Sequence, residues 1–146
     1  MNVAHGATPR HLWVVGVPAL LFNAVGPYDY VMFQTQGAPY LEKSGFTAAQ
    51  VAHYTSMPMW MEAVWAVGVW FAIAGCILLL IRNRRAWWVF ATSLAAFLLS
   101  LVYHYVLTDG GALMGTMQMV VSAVIAAQLV ALVWYSRAMA KSGVLR

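Results

Sequence analysis

The chain has 146 residues, of which 63% are hydrophobic and only 8% are charged, and its formal net charge is +4. A soluble domain carries about 25% charged residues, so a chain with so few charges could not cover its surface in water. This composition excludes a soluble enzyme, a nucleic-acid-binding module and a disordered segment. We therefore predict an all-α polytopic membrane protein.

Four apolar stretches are long enough to cross a bilayer, which takes about 20 residues per helix. The links at residues 82–85 and 108–111 are short and force neighbouring helices to run antiparallel. We therefore predict one domain over residues 1–146, a four-helix bundle packed as two antiparallel hairpins. The predicted transmembrane helices cover about residues 12–33, 58–81, 86–107 and 112–136.

The first span contains a proline that interrupts its own helix. Pro27 has no N–H to donate to the carbonyl of Asn23, and its ring crowds that turn. One outcome is a kink used for packing, and the other is an open turn whose carbonyls face a cavity or ligand. On the second interpretation Asn23 and Tyr30, seven residues apart, lie on one face of the break.

The loop after the first span contains a helix-start signal. Thr47 and Gln50 match a capping box, in which the threonine caps the helix and the glutamine side chain reaches back. We predict a short helix over about residues 48–54 that lies at the membrane surface in this first outer loop. Pro58 then favours the start of the second span, because a first helical turn does not use the N–H that proline lacks.

Each of the first three spans carries one ionisable residue near the same end: Asp29, Glu62 and His104. At about 1.5 Å of rise per residue, all three lie roughly 5–6 Å inside their spans. Ionisable side chains within a bilayer are costly and are by default functional. The shared depth therefore predicts a common pocket, and the alternative is that all three reach headgroup water.

Polar and small residues recur at helical spacing in the last three spans. In span 3 the polar face includes His104 and should look into the bundle. The small-residue face of span 2 favours close approach of a neighbouring helix, and interhelical hydrogen bonding is the favoured role of Gln118 and Gln128 in span 4. The three faces consist of Gly68, Ala72, Gly75 and Cys76, of Ser93, Phe97, Ser100 and His104, and of Gly111, Gly115, Gln118 and Ser122.

No cofactor is predicted. Methionines are concentrated at the end that carries His104, and thioethers select Cu(I), so a copper or other transition-metal site with His53 and His104 is an alternative. However, Met59 and Met61 point about 200° apart on a regular helix, which favours flexible core filling. A b-type haem would need a second axial ligand within the spans. The sequence also lacks a phosphate-binding loop, a Cys-x-x-Cys pair and a nucleophile elbow, so an enzyme is not favoured.

Basic and acidic residues lie at opposite ends of the predicted spans. All basic residues except Lys43 fall at one end, which we call the basic end. The positive-inside rule assigns this end, with both termini, to the cytoplasm of a bacterial inner membrane. The basic end carries Arg10, Arg82, Arg84, Arg85, Arg137, Lys141 and Arg146, and the other end carries Asp29, Glu42, Lys43, Glu62 and Asp109.

Motifs in the first two spans resemble those of small four-span bacterial inner-membrane proteins of unknown function, some of which are labelled sugar transporters. The resemblance covers about residues 12–107 and implies the four-span fold, but no activity and no catalytic residue. The motifs are Asn23-x-x-Gly26-x-x-Asp29-Tyr30, Pro58-x-Trp60, Trp65-Ala66-x-Gly68-Val69, Gly75 and Arg84.

The favoured function is binding or transport of a small polar solute or cation through an outward-facing acidic and histidine-containing pocket. Asp29 and Glu62 would hold positive charge or exchange protons, and His104 would respond to pH because an unperturbed histidine titrates near neutrality. The other members of the site would orient the ligand by hydrogen bonds. The predicted ligand-binding residues are Asn23, Asp29, Tyr30, Glu62, His104 and Gln118.

Two alternatives belong to other functional classes. In the first, the protein is an accessory or assembly subunit of a larger membrane complex, with Trp65, Trp70 and Phe71 as partner contacts. In the second, it carries a membrane metal-binding or enzymatic site. For partners the sequence predicts the lipid bilayer and no nucleic acid. It also predicts a homo-oligomer or a larger membrane complex, because four helices enclose little volume for a transport path.

Overall fold

The computed structural model describes residues 7–146, and within that range all regular structure is helical. Four segments are long and apolar enough to span a membrane: Arg10–Gln36, Met59–Leu80, Ala86–Leu107 and Gly110–Lys141. The prediction of an all-α chain with four candidate membrane spans is confirmed. The fourth helix ends later than predicted, and its first residues, from Gly110, are separated from the rest by non-helical dihedral angles at Gly115.

The first span consists of two helices, α1 (Arg10–Asn23) and α2 (Val25–Gln36). Pro27 lies in the first turn of α2, where its missing N–H is tolerated. Ala24 separates the two helices but keeps helical dihedral angles, with φ −70° and ψ −22°. The helix is therefore interrupted near the predicted proline break without unwinding.

The link to the second span contains α3 (Ala38–Lys43) and α4 (Ala48–Thr55). The predicted capping box of α4 is present: the Gln50 amide N–H donates to Thr47 Oγ1 at 3.3 Å, and the Thr47 N–H donates to Gln50 Oε1 at 2.9 Å. No sequence pattern predicted α3, which is too short to show hydrophobic periodicity. We call the end that carries α3 and α4 the loop end.

The remaining spans are α5 (Met59–Leu80), α6 (Ala86–Val102) with a π-helical turn (Tyr103–Leu107), and α7 (Gly110–Lys141). The helix α5 packs against α1, α2 and α6, and α7 packs against α6. The predicted small-residue face of α5 accounts for the closest packing. Gly75 is buried against the ring of Phe90, and the hydroxyl of Ser93 donates to the carbonyl of Gly68 at 2.6 Å.

The basic half of the bundle contains the larger buried apolar cluster, beside an open groove between α1 and α7 that Val15, Phe22 and Trp134 line. Its backbone is also tied together, because the N–H of Arg146 donates to the carbonyl of Arg82 at 2.7 Å and the N–H of Arg84 donates to the carbonyl of Arg146 at 2.9 Å. The loop half holds a cavity among the spans. The buried cluster of the basic half consists of Leu12, Cys76, Leu79, Ala86, Phe90, Leu132 and Leu145.

Candidate functional site

A cavity of about 550 Å³ lies among the four spans, from their middle to the loop end. Four of the six predicted ligand-binding residues line it, two from the first span, one from the π-helical turn and one from α7. The helices α3 and α4 close it at the loop end through Tyr40 and Tyr54. The four predicted residues that line the cavity are Asn23, Asp29, His104 and Gln118.

The other two predicted residues, Tyr30 and Glu62, lie outside this lining. Met61, which precedes Glu62, is fully buried and lines the cavity. One residue along a helix turns the side chain by about 100°, so Glu62 leaves the cavity and accepts a hydrogen bond from Gln34 Nε2 at 3.5 Å. Tyr30 packs its ring edge-on to Trp65, with 5.2 Å between centroids. The depth of a residue along its span therefore did not determine which way its side chain points around the helix axis.

The carboxylate of Asp29 is fixed by a tyrosine of the loop. The phenol of Tyr40 in α3 donates to Asp29 Oδ1 at 2.6 Å. This bond favours the neutral phenol and, together with burial and the negative charge of Asp29, raises the pKa of Tyr40 to about 12. The only carboxylate that lines the cavity among residues 7–146 is therefore held in place by the segment that covers it.

Four of the aromatic side chains that line the same cavity are here called the aromatic wall: Phe33, Phe46, Tyr54 and Trp65. Ring centroids are 5.4 Å apart between Phe33 and Trp65 and 5.6 Å apart between Phe46 and Tyr54. Burial, with smaller contributions from the charges of Tyr105 and Asp29, raises the pKa of Tyr54 to about 12.

An amide pair forms the floor of the cavity between α1 and α7. Asn23 Nδ2 donates to Gln128 Oε1 at 3.1 Å, and Gln128 Nε2 donates to Asn23 Oδ1 at 3.0 Å. Asn23 also donates to the carbonyl of Ala19 at 2.8 Å. The predicted interhelical role of Gln128 is confirmed, whereas Gln118 faces the cavity.

A pair of histidine side chains connects α4 to the π-helical turn. His53 Nε2 of α4 lies 2.9 Å from His104 Nδ1, a hydrogen bond in which one neutral ring donates to the other. The ring of Tyr103 lies beside His53, at 6.2 Å between centroids. The face of α6 that was predicted to look inward does so, since Phe97, Ser100 and His104 line the cavity.

Acidification is expected to weaken the contact between α4 and the π-helical turn. Burial lowers the pKa of His53 below its ordinary value of about 6.5, so the folded protein binds a proton less readily there than the unfolded chain. The stabilisation is fully present above pH 6.5 and is lost as the pH falls through the lowered value. When both rings are protonated, each is a donor only, and the hydrogen bond between them cannot form.

Hydrogen exchange of the α4 amides measures this effect. We expect faster exchange at pH 5 than at pH 7.5 after correction for the intrinsic rate, and a smaller pH dependence in His53→Gln, whose side chain does not titrate. Equal pH dependence in the two proteins would show that His53 is not the responsive group.

Within residues 7–146 no three His, Cys, Asp or Glu side chains come together in a metal-binding arrangement. The cavity instead offers one fixed carboxylate, an aromatic wall and a lining that is mostly apolar. Such a site can hold a positive charge by electrostatic attraction and cation–π contact. No protein-family model, no curated protein and no solved structure matches this chain.

Proposed function

We propose that the protein binds a small cation in the cavity at the loop end. The observation that carries the proposal is the carboxylate of Asp29, held by Tyr40 at 2.6 Å in a cavity that contains no other carboxylate from residues 7–146. Asp29 is only partly buried, and its carboxylate attracts a positive partner. A bound cation would supply that partner, which favours a cation over a neutral polar solute.

The other cavity residues have distinct roles in this proposal. Asn23 forms the floor through its amide pair, Gln118 offers hydrogen bonds to the ligand, and His104 connects the cavity to the covering helix α4 through His53. Tyr30 and Glu62 have no part in it, because neither lines the cavity.

The proposed setting is a bacterial inner membrane, with the spans packed as two antiparallel hairpins and α4 at the outer surface. The basic end, with both termini, faces the cytoplasm by the positive-inside rule. The cavity then lies toward the outer side, beneath α3 and α4. Transport would require a change in the amide pair and in the packing of the basic half, and a homo-oligomer or larger complex would provide the additional surface for such a path.

Replacing Asp29 with asparagine is expected to weaken cation binding at least about tenfold, because the charge is lost while the size of the side chain is kept. Purified protein in mild detergent can be titrated with Na⁺, K⁺ and tetramethylammonium chlorides by isothermal titration calorimetry. The matched control is Glu62→Gln, which removes a carboxylate near the same end but outside the cavity. Binding that survives Asp29→Asn, or that is lost in Glu62→Gln, contradicts the proposal.

The accessory-subunit alternative rests on exposed aromatic residues. Trp70 and Phe71 of α5 are 44% and 39% exposed and are available to lipid or to a partner helix. Trp65 lines the cavity and does not face outward. Only Trp70 and Phe71 of the three predicted partner contacts therefore remain. Copurification of a stoichiometric partner in mild detergent would favour this alternative.

A further inference from the structure

The cavity favours an organic cation over a metal ion. Calcium takes 6–8 oxygen ligands, and magnesium requires a near-octahedral set. Asp29 is the only carboxylate in the lining from residues 7–146, and one of its oxygens already accepts from Tyr40. The volume of about 550 Å³ also falls in the range of pockets that hold small organic molecules.

The aromatic wall supplies the contacts that an organic ammonium ion needs. Phe33 and Trp65 come from α2 and α5, and Phe46 and Tyr54 come from the loop, so the rings surround the cavity from separate segments. Aromatic rings attract an ammonium group within about 6 Å of their centroids, and the attraction is stronger where water is excluded. A quaternary ammonium group has no N–H and needs no hydrogen-bond acceptor.

The carboxylate lies beside one ring of the aromatic wall. Asp29 and Phe33 are four residues apart on α2 and therefore lie on the same helix face. Asp29 Oδ2 has no protein hydrogen-bond donor among the described residues, because Tyr40 occupies Oδ1 only. One carboxylate oxygen thus remains to attract a positive charge beside the rings.

We propose that the ligand of this cavity is an organic ammonium ion with apolar substituents, whose charged group lies between the carboxylate of Asp29 and the aromatic wall of Phe33, Phe46, Tyr54 and Trp65. The inference rests on the proposed function and specifies its ligand class. Asp29 neutralises the charge, and the rings select against hydrated inorganic ions, which they cannot supply with oxygen ligands.

A pair of isosteric probes separates charge recognition from simple apolar binding. Choline and 3,3-dimethylbutan-1-ol have nearly the same shape, but only choline carries the ammonium charge. By calorimetry with the purified full chain, we expect choline to bind at least about tenfold more tightly than the alcohol. Equal affinity for the two compounds would overturn the inference.

Single-ring variants test the aromatic wall. Phe33→Leu and Phe46→Leu keep an apolar side chain but remove a ring, and we expect each to weaken choline binding about 3- to 10-fold. Trp70→Leu is the matched control, because it removes an exposed ring of α5 outside the cavity and should leave binding unchanged. Unchanged affinity in both phenylalanine variants, with thermal melts like the wild type, would remove the rings from the site.

The outcomes also separate this inference from the proposed function. Asp29-dependent binding of Na⁺ or K⁺ without binding of choline would overturn the organic ligand but leave a cation site. Absence of binding for all of these cations would overturn both proposals.

Discussion

Replacing Gly75 with valine is expected to lower the free energy of unfolding by about 1–3 kcal/mol, the usual cost of overpacking a filled core. A Cβ at this position would lie 2.7 Å from Cδ1 and Cε1 of Phe90. The ring cannot move away freely, because Phe90 is fully buried. The helices α5 and α6 must therefore separate, which strains the nearby hydrogen bond from Ser93 to the carbonyl of Gly68.

Unfolding in detergent, followed by circular dichroism during a denaturant titration, measures this change. The matched control is Gly68→Ala on the same face of α5, where a Cβ would meet only the Cβ of Ala96 at an ordinary 3.9 Å. The control should be nearly neutral or slightly stabilising, since alanine favours helix more than glycine does. A similar loss in Gly68→Ala and Gly75→Val would mean that the contact with Phe90 is not the cause.

Replacing Asn23 with leucine is expected to destabilise the bundle by about 1–3 kcal/mol, because Gln128 loses its reciprocal partner at the floor of the cavity. The two amides connect α1 and α7 by hydrogen bonds of 3.0 and 3.1 Å. The double variant Asn23→Leu with Gln128→Leu should recover much of this loss, because no amide is then left unpaired. A double-mutant cycle of unfolding free energies gives the coupling directly.

Gln118→Leu is the control for this cycle. Gln118 also lines the cavity from α7, but the structure shows no side-chain hydrogen bond from it to residues 7–146. Its replacement should therefore cost little. Additive losses for Asn23 and Gln128, with no recovery in the double variant, would contradict the paired-amide interpretation.

Local signals in the sequence were sufficient for much of the fold. The capping box of Thr47 and Gln50 depends only on residues three apart, and it is present as predicted. The small-residue face around Gly75 also predicted close packing correctly, because small side chains leave room for a neighbouring helix. Hydropathy located all four candidate spans, since a membrane-spanning helix must be apolar over nearly its whole length.

The site was predicted only in part, because the depth of a residue in its span does not fix the direction in which its side chain points. Hydropathy placed Asp29 and Glu62 at one depth, but the rotation of α5 turns Met61 to the cavity and Glu62 away from it. Tyr40, Phe46 and Tyr54 were missed because their positions depend on the path of the loop between spans. Phe33 and Trp65 lie within spans, where the sequence does not show whether an apolar ring faces a cavity or lipid. The contact of His53 with His104 depends on the path of the loop and on a π-helical turn that no sequence pattern predicted.

Three of the four spans depart from a regular α-helix at their middle or toward the loop end. The first is interrupted at Ala24, the third widens into the π-helical turn, and the fourth has non-helical dihedral angles at Gly115, with φ 71° and ψ −177°. The uninterrupted helix α5 contacts two of these spans, and the largest buried cluster lies in the basic half. The departures from regular helix are therefore concentrated in the part of the molecule that holds the cavity, so irregular backbone rather than straight helices packed side by side sets the shape of that cavity.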